Sequence, residues 1–221
     1  MRLAILSDIH SNLTALDTLM PDIARADRVV CLGDVTGYYG QPNEAVDRMR
    51  QLDALCVLGN HDHFALVGCP SGAPEAVQWG ITFAQSHLTP ENKAWLSTLP
   101  LTWEGEISGM RALFVHGAPW DPLGAYLYAD NPRLSELDAY DLDLIAFGQT
   151  HRALLRDDAR PILLNPGAVG QSRDGAAQAC MALIDTETRA VELIRRPYDP
   201  TPVIERARSH GAGGWILKHL V

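Results

Sequence analysis

The chain has 221 residues, 47% of them hydrophobic, with 27 acidic against 18 basic side chains and a formal net charge of −9. That is enough apolar material for a substantial core, and the acidic balance, with no run of lysine and arginine, excludes a stable grip on a nucleic-acid backbone. Cys31, Cys56, Cys69 and Cys180 form no C-x-x-C pair, no apolar run reaches the roughly 20 residues that cross a bilayer, and Met1–Leu6 is too short for a signal-peptide core, so core thiols and a cytoplasmic protein without membrane contact are expected.

The chain opens on an apolar strand, Arg2–Ser7, and continues with helical spacing over Asn12–Ala26, where Asn12 is placed to cap the helix. A strand at Arg28–Gly33, a helix at Asn43–Leu52 and a strand at Ala54–Gly59 follow. This alternation of strand and helix implies parallel pairing. Two helical stretches, Pro74–Gln85 and Pro90–Leu99, lead to strands at Leu101–Glu106 and Arg111–His116, a short helix at Pro132–Tyr140 and a strand at Asp143–Gly148. The remainder reads as antiparallel strands at Ala153–Arg156, Pro161–Leu164, Ala179–Asp185 and Ala190–Arg195, then a helical tail from about residue 202 whose Gly213–Leu217 stretch docks on the core or on a second subunit. No repeat, low-complexity segment or composition break divides the chain, so one domain over residues 1–221 is expected.

The chemistry lies at the ends of these strands. Leu3–Leu6 runs into Ser7, Asp8, Ile9 and His10; Val29–Leu32 into Gly33 and Asp34; Leu55–Leu58 into Gly59, Asn60, His61 and Asp62. Leu113–Val115 ends in His116, and Leu144–Phe147 in Gly148, Gln149, Thr150 and His151. The carboxyl ends of parallel strands share one edge of a sheet, so these side chains converge on one crevice. An isolated Asp or Asn after a strand serves a turn or a helix cap, but turns have no use for imidazole, and five such ends together mark a metal or catalytic site. Three imidazoles, two carboxylates and an amide oxygen, without a thiolate, suit Mn²⁺, iron, Co²⁺ or Zn²⁺ in a non-structural site. The set exceeds the four donors of one tetrahedral ion, and Asp34 at its middle can bridge two ions about 3.5–4 Å apart.

D-x-H at Asp8 and His10, G-D-x-x-G at Gly33, Asp34 and Gly37, G-N-H-D at Gly59–Asp62, His116 before a glycine, and G-x-T-H at Gly148–His151 together resemble the calcineurin-like metallophosphoesterases, in particular their small stand-alone bacterial and archaeal members. The resemblance implies a four-layer α-β-β-α sandwich, an α/β fold with two mixed β-sheets flanked by helices. It also implies two divalent metal ions, manganese first, with iron, zinc, cobalt or nickel as alternatives. Site one would be Asp8, His10, Asp34 and His151; site two Asp34, Asn60 and His116. The family carries a further histidine two residues before the last one, where this chain has Gln149, a weaker donor toward borderline ions.

The expected activity is hydrolysis of a small phosphomonoester or phosphodiester, nucleotides included, by a hydroxide bridging the two ions. His61 is the candidate for stabilising the transition state or protonating the leaving oxygen, with Asp62 either orienting His61 or capping a helix. Arg173 is a phosphate grip or a surface ion pair, and His63, His87, His210 and His219 receive no role. The segments Val67–Val77, Trp120–Asp130 and Gln171–Asp174 would set selectivity. A Cys-x5-Arg loop, an Asp-x-Asp nucleophile, Gly-x-Ser-x-Gly and a P-loop are all absent. The competing class is a non-catalytic metal or nucleotide sensor, or a scaffold, that retains the fold, and Gln149 is the feature in its favour. The sequence leaves the oligomeric state open.

Overall fold

In the computed structural model, which describes residues 1–221, strands alternate their side chains between two cores. The elements in chain order are β1 (Arg2–Leu6), α1 (Leu13–Ile23), β2 (Arg28–Cys31), α2 (Pro42–Gln51), β3 (Leu55–Cys56), α3 (Asn60–Val67), α4 (Glu75–His87), α5 (Pro90–Ser97), β4 (Thr102–Ile107) and β5 (Met110–Val115). A 3-10 helix (Pro132–Ala139) precedes β6 (Leu144–Ala146), β7 (Ala153–Arg156), β8 (Ile162–Pro166), β9 (Gln178–Asp185), β10 (Val191–Pro197), α6 (Thr201–Ser209) and a last 3-10 turn, Gly214–Leu217.

Two five-stranded sheets result, in the orders β10-β9-β1-β2-β3 and β4-β5-β6-β8-β7. Along β1 and β2 and at the residue after β2, Leu3, Ile5, Val30 and Leu32 point into the space between the sheets, where Phe114, Leu144, Ala146 and Leu164 meet them. Their alternates Ala4, Leu6, Val29 and Cys31 face the opposite way, onto Leu16, Leu19, Val46 and Met49 of the helices. The second sheet repeats the device, with Leu113, Val115, Ile145 and Phe147 turned outward under Leu127 and Leu137. Because both faces are buried, these strands read as unbroken apolar runs. The expected four-layer sandwich is therefore present. Its layer over the second sheet is thin, however, built from the 3-10 helix and its neighbouring loop rather than from α-helices.

Parallel pairing of β1 with β2 and of β2 with β3 follows the predicted order. Two local readings need correction. The strand at Ile162–Pro166 is not wholly antiparallel: it pairs antiparallel with β7 but parallel with β6, which brings its carboxyl end to the same rim as β5 and β6. The Asn60–Val67 segment, given no helix in the sequence reading beyond Asp62 as a possible cap, is a helix started by the Gly59 N–H on the Asp62 carboxylate, which is that cap. Eight residues are too few for apolar periodicity to announce it. The tail docks as expected, with Ile216 and Leu220 packed on Tyr39, Val203 and Ala207, although its last turn is 3-10. Cys31, Cys56 and Cys180 are buried, whereas Cys69 is only partly so. No helix is long and apolar enough to cross a membrane.

Candidate metal centre

The carboxyl ends of β1, β2, β3, β5 and β6 carry Asp8 and His10, Asp34, Asn60 and His61, His116, and Gln149 and His151 to one rim. Asp8, His10 and His151 bring one ligand atom each within 4.8 Å of one another, and so do Asp8, Asp34 and His116, and His10, Asp34 and His61. The Asp34 Oδ2 atom lies 3.6 Å from His10 Nε2 and 3.3 Å from His116 Nε2, so one carboxylate joins two clusters. On one side, His151 Nε2 stands 3.3 Å from Asp8 Oδ1. On the other, His116 Nε2 stands 3.0 Å from Asn60 Oδ1.

Each of the three predicted imidazole ligands is anchored through its other nitrogen. His10 Nδ1 faces the Thr36 carbonyl at 3.1 Å, His116 Nδ1 the Leu32 carbonyl at 2.8 Å, and His151 Nδ1 the Gln171 carbonyl at 2.8 Å. A carbonyl only accepts, so Nδ1 carries a proton and Nε2 is the nitrogen turned inward, which offers a lone pair whenever the ring is neutral. Backbone carbonyls that fix the tautomer in this way are the usual support of metal-binding histidines. The Nε2 atoms of His10 and His151 are 3.1 Å apart, two lone pairs that cannot bond each other without a cation or an added proton between them. Both Asp8 oxygens are buried without a hydrogen-bond partner, as is Gln149 Oε1. This donor set fits divalent cations.

The electrostatics agree. Burial opposes ionisation of Asp8, but the His151 imidazole 3.3 Å away and His116 outweigh it and hold its pKa at about 2. Burial opposes Asp34 as well, yet His116 and His61 keep it below the usual carboxylate range. The imidazole of His10 is pushed well below its ordinary value by burial, and that of His61 is lowered for the same reason. His116 goes the other way: burial disfavours its proton, but the Asp34 carboxylate raises its pKa to about 10.

The loops that present these groups are bent into the left-handed region. Asp8 (φ 55°), His10 (φ 52°), Asp34 (φ 54°), Gln149 (φ 68°) and His151 (φ 58°) all lie there, a conformation uncommon for side-chain-bearing residues and concentrated at functional sites. Two glycines make the approach possible: a Cβ on Gly37 would lie 2.3 Å from His61 Nδ1, and one on Gly59 would lie 2.2 Å from Asp34 Oδ1.

Other predicted residues fall as follows. His61 joins the cluster, its ring 4.7 Å from that of His10, and its Nδ1 is buried without a partner. Asp62 does not orient it: its carboxylate accepts from Val35 N, Thr36 N, Thr36 Oγ1 and Gly59 N at 2.8–3.3 Å. It therefore braces the loop whose Thr36 carbonyl holds His10, while burial and the Asp34 charge raise its own pKa to about 6. Gln149 donates to the Leu123 carbonyl at 3.4 Å. Asn12 caps α1 through Ala15 N and also donates to the Gly170 carbonyl. Arg173 forms no surface ion pair; its Nε is buried and unpartnered, and its backbone N–H donates to the His151 carbonyl.

Several supports received no role from the sequence. Asn165 donates to the Gly148 carbonyl and to Thr150 Oγ1, and Val169 N and Gly170 N hold the carbonyls of Ser7 and Asp8. Asn165 stands at a strand end and was within reach of the rule that found the others; the carbonyls of Leu32, Thr36 and Gln171 leave no mark in a sequence. Tyr38 was also missed, with its ring 4.7 Å from His10 and 4.8 Å from His61.

Two mixed sheets with imidazoles and carboxylates gathered at their shared rim define a calcineurin-like phosphoesterase architecture. The sequence model of the calcineurin-like phosphoesterase superfamily domain matches residues 1–189, and the chain belongs to this superfamily. An uncharacterized protein of Methanocaldococcus jannaschii is 31% identical over 243 residues, covering 99% of this chain and 96% of that protein. The crystal structure of a metallophosphoesterase from Sphaerobacter thermophilus superposes with a TM-score of 0.84 at 30% identity, covering 100% of this chain and 98% of that one. A hypothetical protein from Pyrococcus horikoshii superposes with a TM-score of 0.86 at 19% identity, covering 99% and 97%, a likeness of fold.

Proposed function

We propose that this chain is a metal-dependent phosphoesterase whose centre holds two divalent cations, manganese first, between Asp8, His10, Asp34 and His151 on one side and Asp34, Asn60 and His116 on the other. One observation carries the reading: the facing Nε2 lone pairs of His10 and His151, 3.1 Å apart beside buried carboxylates, with both Nδ1 protons committed to backbone carbonyls. Bound there, the cations would supply a water of lowered pKa and positive charge for the phosphoryl oxygens, outweighing the two carboxylates in an otherwise acidic protein. The metallophosphoesterase of Sphaerobacter thermophilus, similar over its whole length, supports the same reading.

The remaining work falls to the chain's own groups. Asp34 ties the two halves of the site through Oδ2 while its Oδ1 accepts from His61 N at 2.8 Å, which fixes where the His61 ring starts. Lowered in pKa by burial, His61 is a neutral imidazole near neutral pH and serves as an N–H donor to the leaving oxygen. Gln149, its Oε1 buried and unpartnered, is the remaining donor for the second half.

The test is turnover of matched chromogenic monoester and diester substrates by Mn²⁺-loaded protein, with His61→Ala alongside. Activity that falls about a hundredfold or more in the variant, at unchanged metal content, is expected. A loaded protein inert on every substrate, with His61→Ala no different, would favour a sensor or scaffold that keeps the fold.

A further inference from the structure

Beside the proposed metal centre lies a cavity of about 210 Å³, walled by Tyr38, Val77, Trp215 and Ile216, with Arg173, Lys218 and His219 at its edge. Two contacts place it against the centre. Tyr38, which lines it, sets its ring 4.7 Å from His10 and 4.8 Å from His61, and the Gln171–Arg173 strip that lines it holds His151 at both its Nδ1 and its backbone carbonyl.

Its cationic side chains have no carboxylate partner. Arg25, Arg48, Arg111, Arg196 and Arg206 each sit on a carboxylate in this acidic protein. Arg173 and Lys218 sit on none, and Arg173 Nε is buried without any acceptor. A guanidinium N–H left unpaired away from water is costly, and a bound anion would satisfy it. Both cations act on the His219 imidazole, lowering its pKa together with burial, so the two charges share one small space. Aromatic walls and a volume below the roughly 300–1,000 Å³ of pockets that enclose a whole drug-sized ligand suit a single planar ring system. Trp215–His219 also lies outside residues 1–189, the part matched by the superfamily model.

We propose that this cavity binds the non-reacting portion of the substrate, and that this portion is a planar aromatic group carrying an anionic group of its own. Its part in turnover rests on the phosphoesterase reading above; the binding itself does not.

Calorimetric titration of the full chain with AMP, adenosine and inorganic phosphate, in chelator and again with Mn²⁺, tests it. AMP should bind at least about tenfold more tightly than either fragment in both conditions. Arg173→Ala and Lys218→Ala should each weaken AMP about tenfold while retaining wild-type Mn²⁺ stoichiometry, and Trp215→Leu should weaken AMP and adenosine alike. AMP binding no tighter than phosphate, or unchanged in both charge variants, overturns the assignment. If loaded protein turns over no phosphoester while the AMP pattern holds, the phosphoesterase reading falls and the cavity stands; turnover without that pattern is the reverse.

Discussion

Raising the pH should tighten metal binding steeply, and His116 sets by how much. In the metal-free chain its Nδ1–H is held by the Leu32 carbonyl, so an added proton can only sit on Nε2, 3.3 Å from Asp34 Oδ2 and the very atom offered to a cation. That proton is held with a pKa of about 10 and must leave for the cation to bind. From about pH 7 to about pH 9 the apparent affinity should rise roughly tenfold per unit, about a hundredfold in all, with about one proton released per chain. Asp8 and Asp34 are already ionised through this window and His10 and His61 already neutral, so they add nothing to the slope. The same shift fixes the stability of chelated protein. His116 binds its proton more tightly folded than unfolded, so its contribution is complete below the unfolded value of 6.5 and disappears as the pH climbs through about 10. Chelated protein should therefore melt at a lower temperature near pH 10 than near pH 7. Titration calorimetry with Mn²⁺ in buffers of different ionisation enthalpy counts the proton directly, and His116→Asn should flatten the slope. A wild-type affinity that does not change with pH, with no proton released, would refute the reasoning.

Three substitutions follow from the same geometry. Asp34→Asn should abolish turnover and loosen both ions together, because one oxygen faces both halves; elemental analysis showing two tightly held ions would contradict the shared role. Gln149→His should tighten the second ion, since imidazole is the better donor toward borderline metals, and an unchanged Mn²⁺ titration would place residue 149 outside the centre. Asp62→Asn turns an amide NH₂ toward N–H groups that the carboxylate now accepts, such as those of Val35 and Gly59, and should cost about 1–3 kcal/mol per orphaned donor in denaturant unfolding. Intact stability with a fall confined to kcat would instead restore Asp62 as the group that orients His61.

The legible parts of this molecule were those in which a side chain announces its own job. Leu3–Leu6 and Val29–Leu32 are apolar without interruption because both faces of the strand are covered, and that made them visible as buried parallel strands. His10, His116 and His151 stood out because nothing in a turn calls for imidazole. What the sequence hid was decided by backbone or by partners remote in the chain. Asp62 follows His61 directly, and adjacency suggested a catalytic pair; in a helix, neighbouring residues point in different directions, and its carboxylate turns to Val35 and Thr36. The direction of Ile162–Pro166 depends on its meeting β6 from across a loop, which no local pattern encodes. Between a phosphate grip and a surface ion pair the sequence could not choose for Arg173, because the cavity around it is closed by Trp215 and Lys218, more than forty residues along the chain.

The rim is held in shape before any cation arrives. Left-handed backbone at Asp8, His10, Asp34, Gln149 and His151 is unfavourable by roughly 1–2 kcal/mol per residue, somewhat less for Asp, and would relax if the loops were free. They are not free. Asp8 N donates to the Gly33 carbonyl and His10 N to the Asp34 carbonyl, tying the first loop to the second, while Gly170 N holds the Asp8 carbonyl and Arg173 N that of His151. The second loop is in turn fastened to α3 by Asp62 and by Asp34 Oδ1 on His61 N. Carboxylates and lone pairs that repel one another are thus kept close largely by backbone hydrogen bonds of their loops, and the free energy of that repulsion is available to favour a cation. Removing a brace such as Asn165, which holds the Gly148 carbonyl and Thr150 Oγ1, should accordingly weaken metal binding without touching a donor atom. Mn²⁺ titration of Asn165→Ala reads this directly, and an affinity equal to that of the unaltered chain would mean that the cations, not the loops, shape the rim.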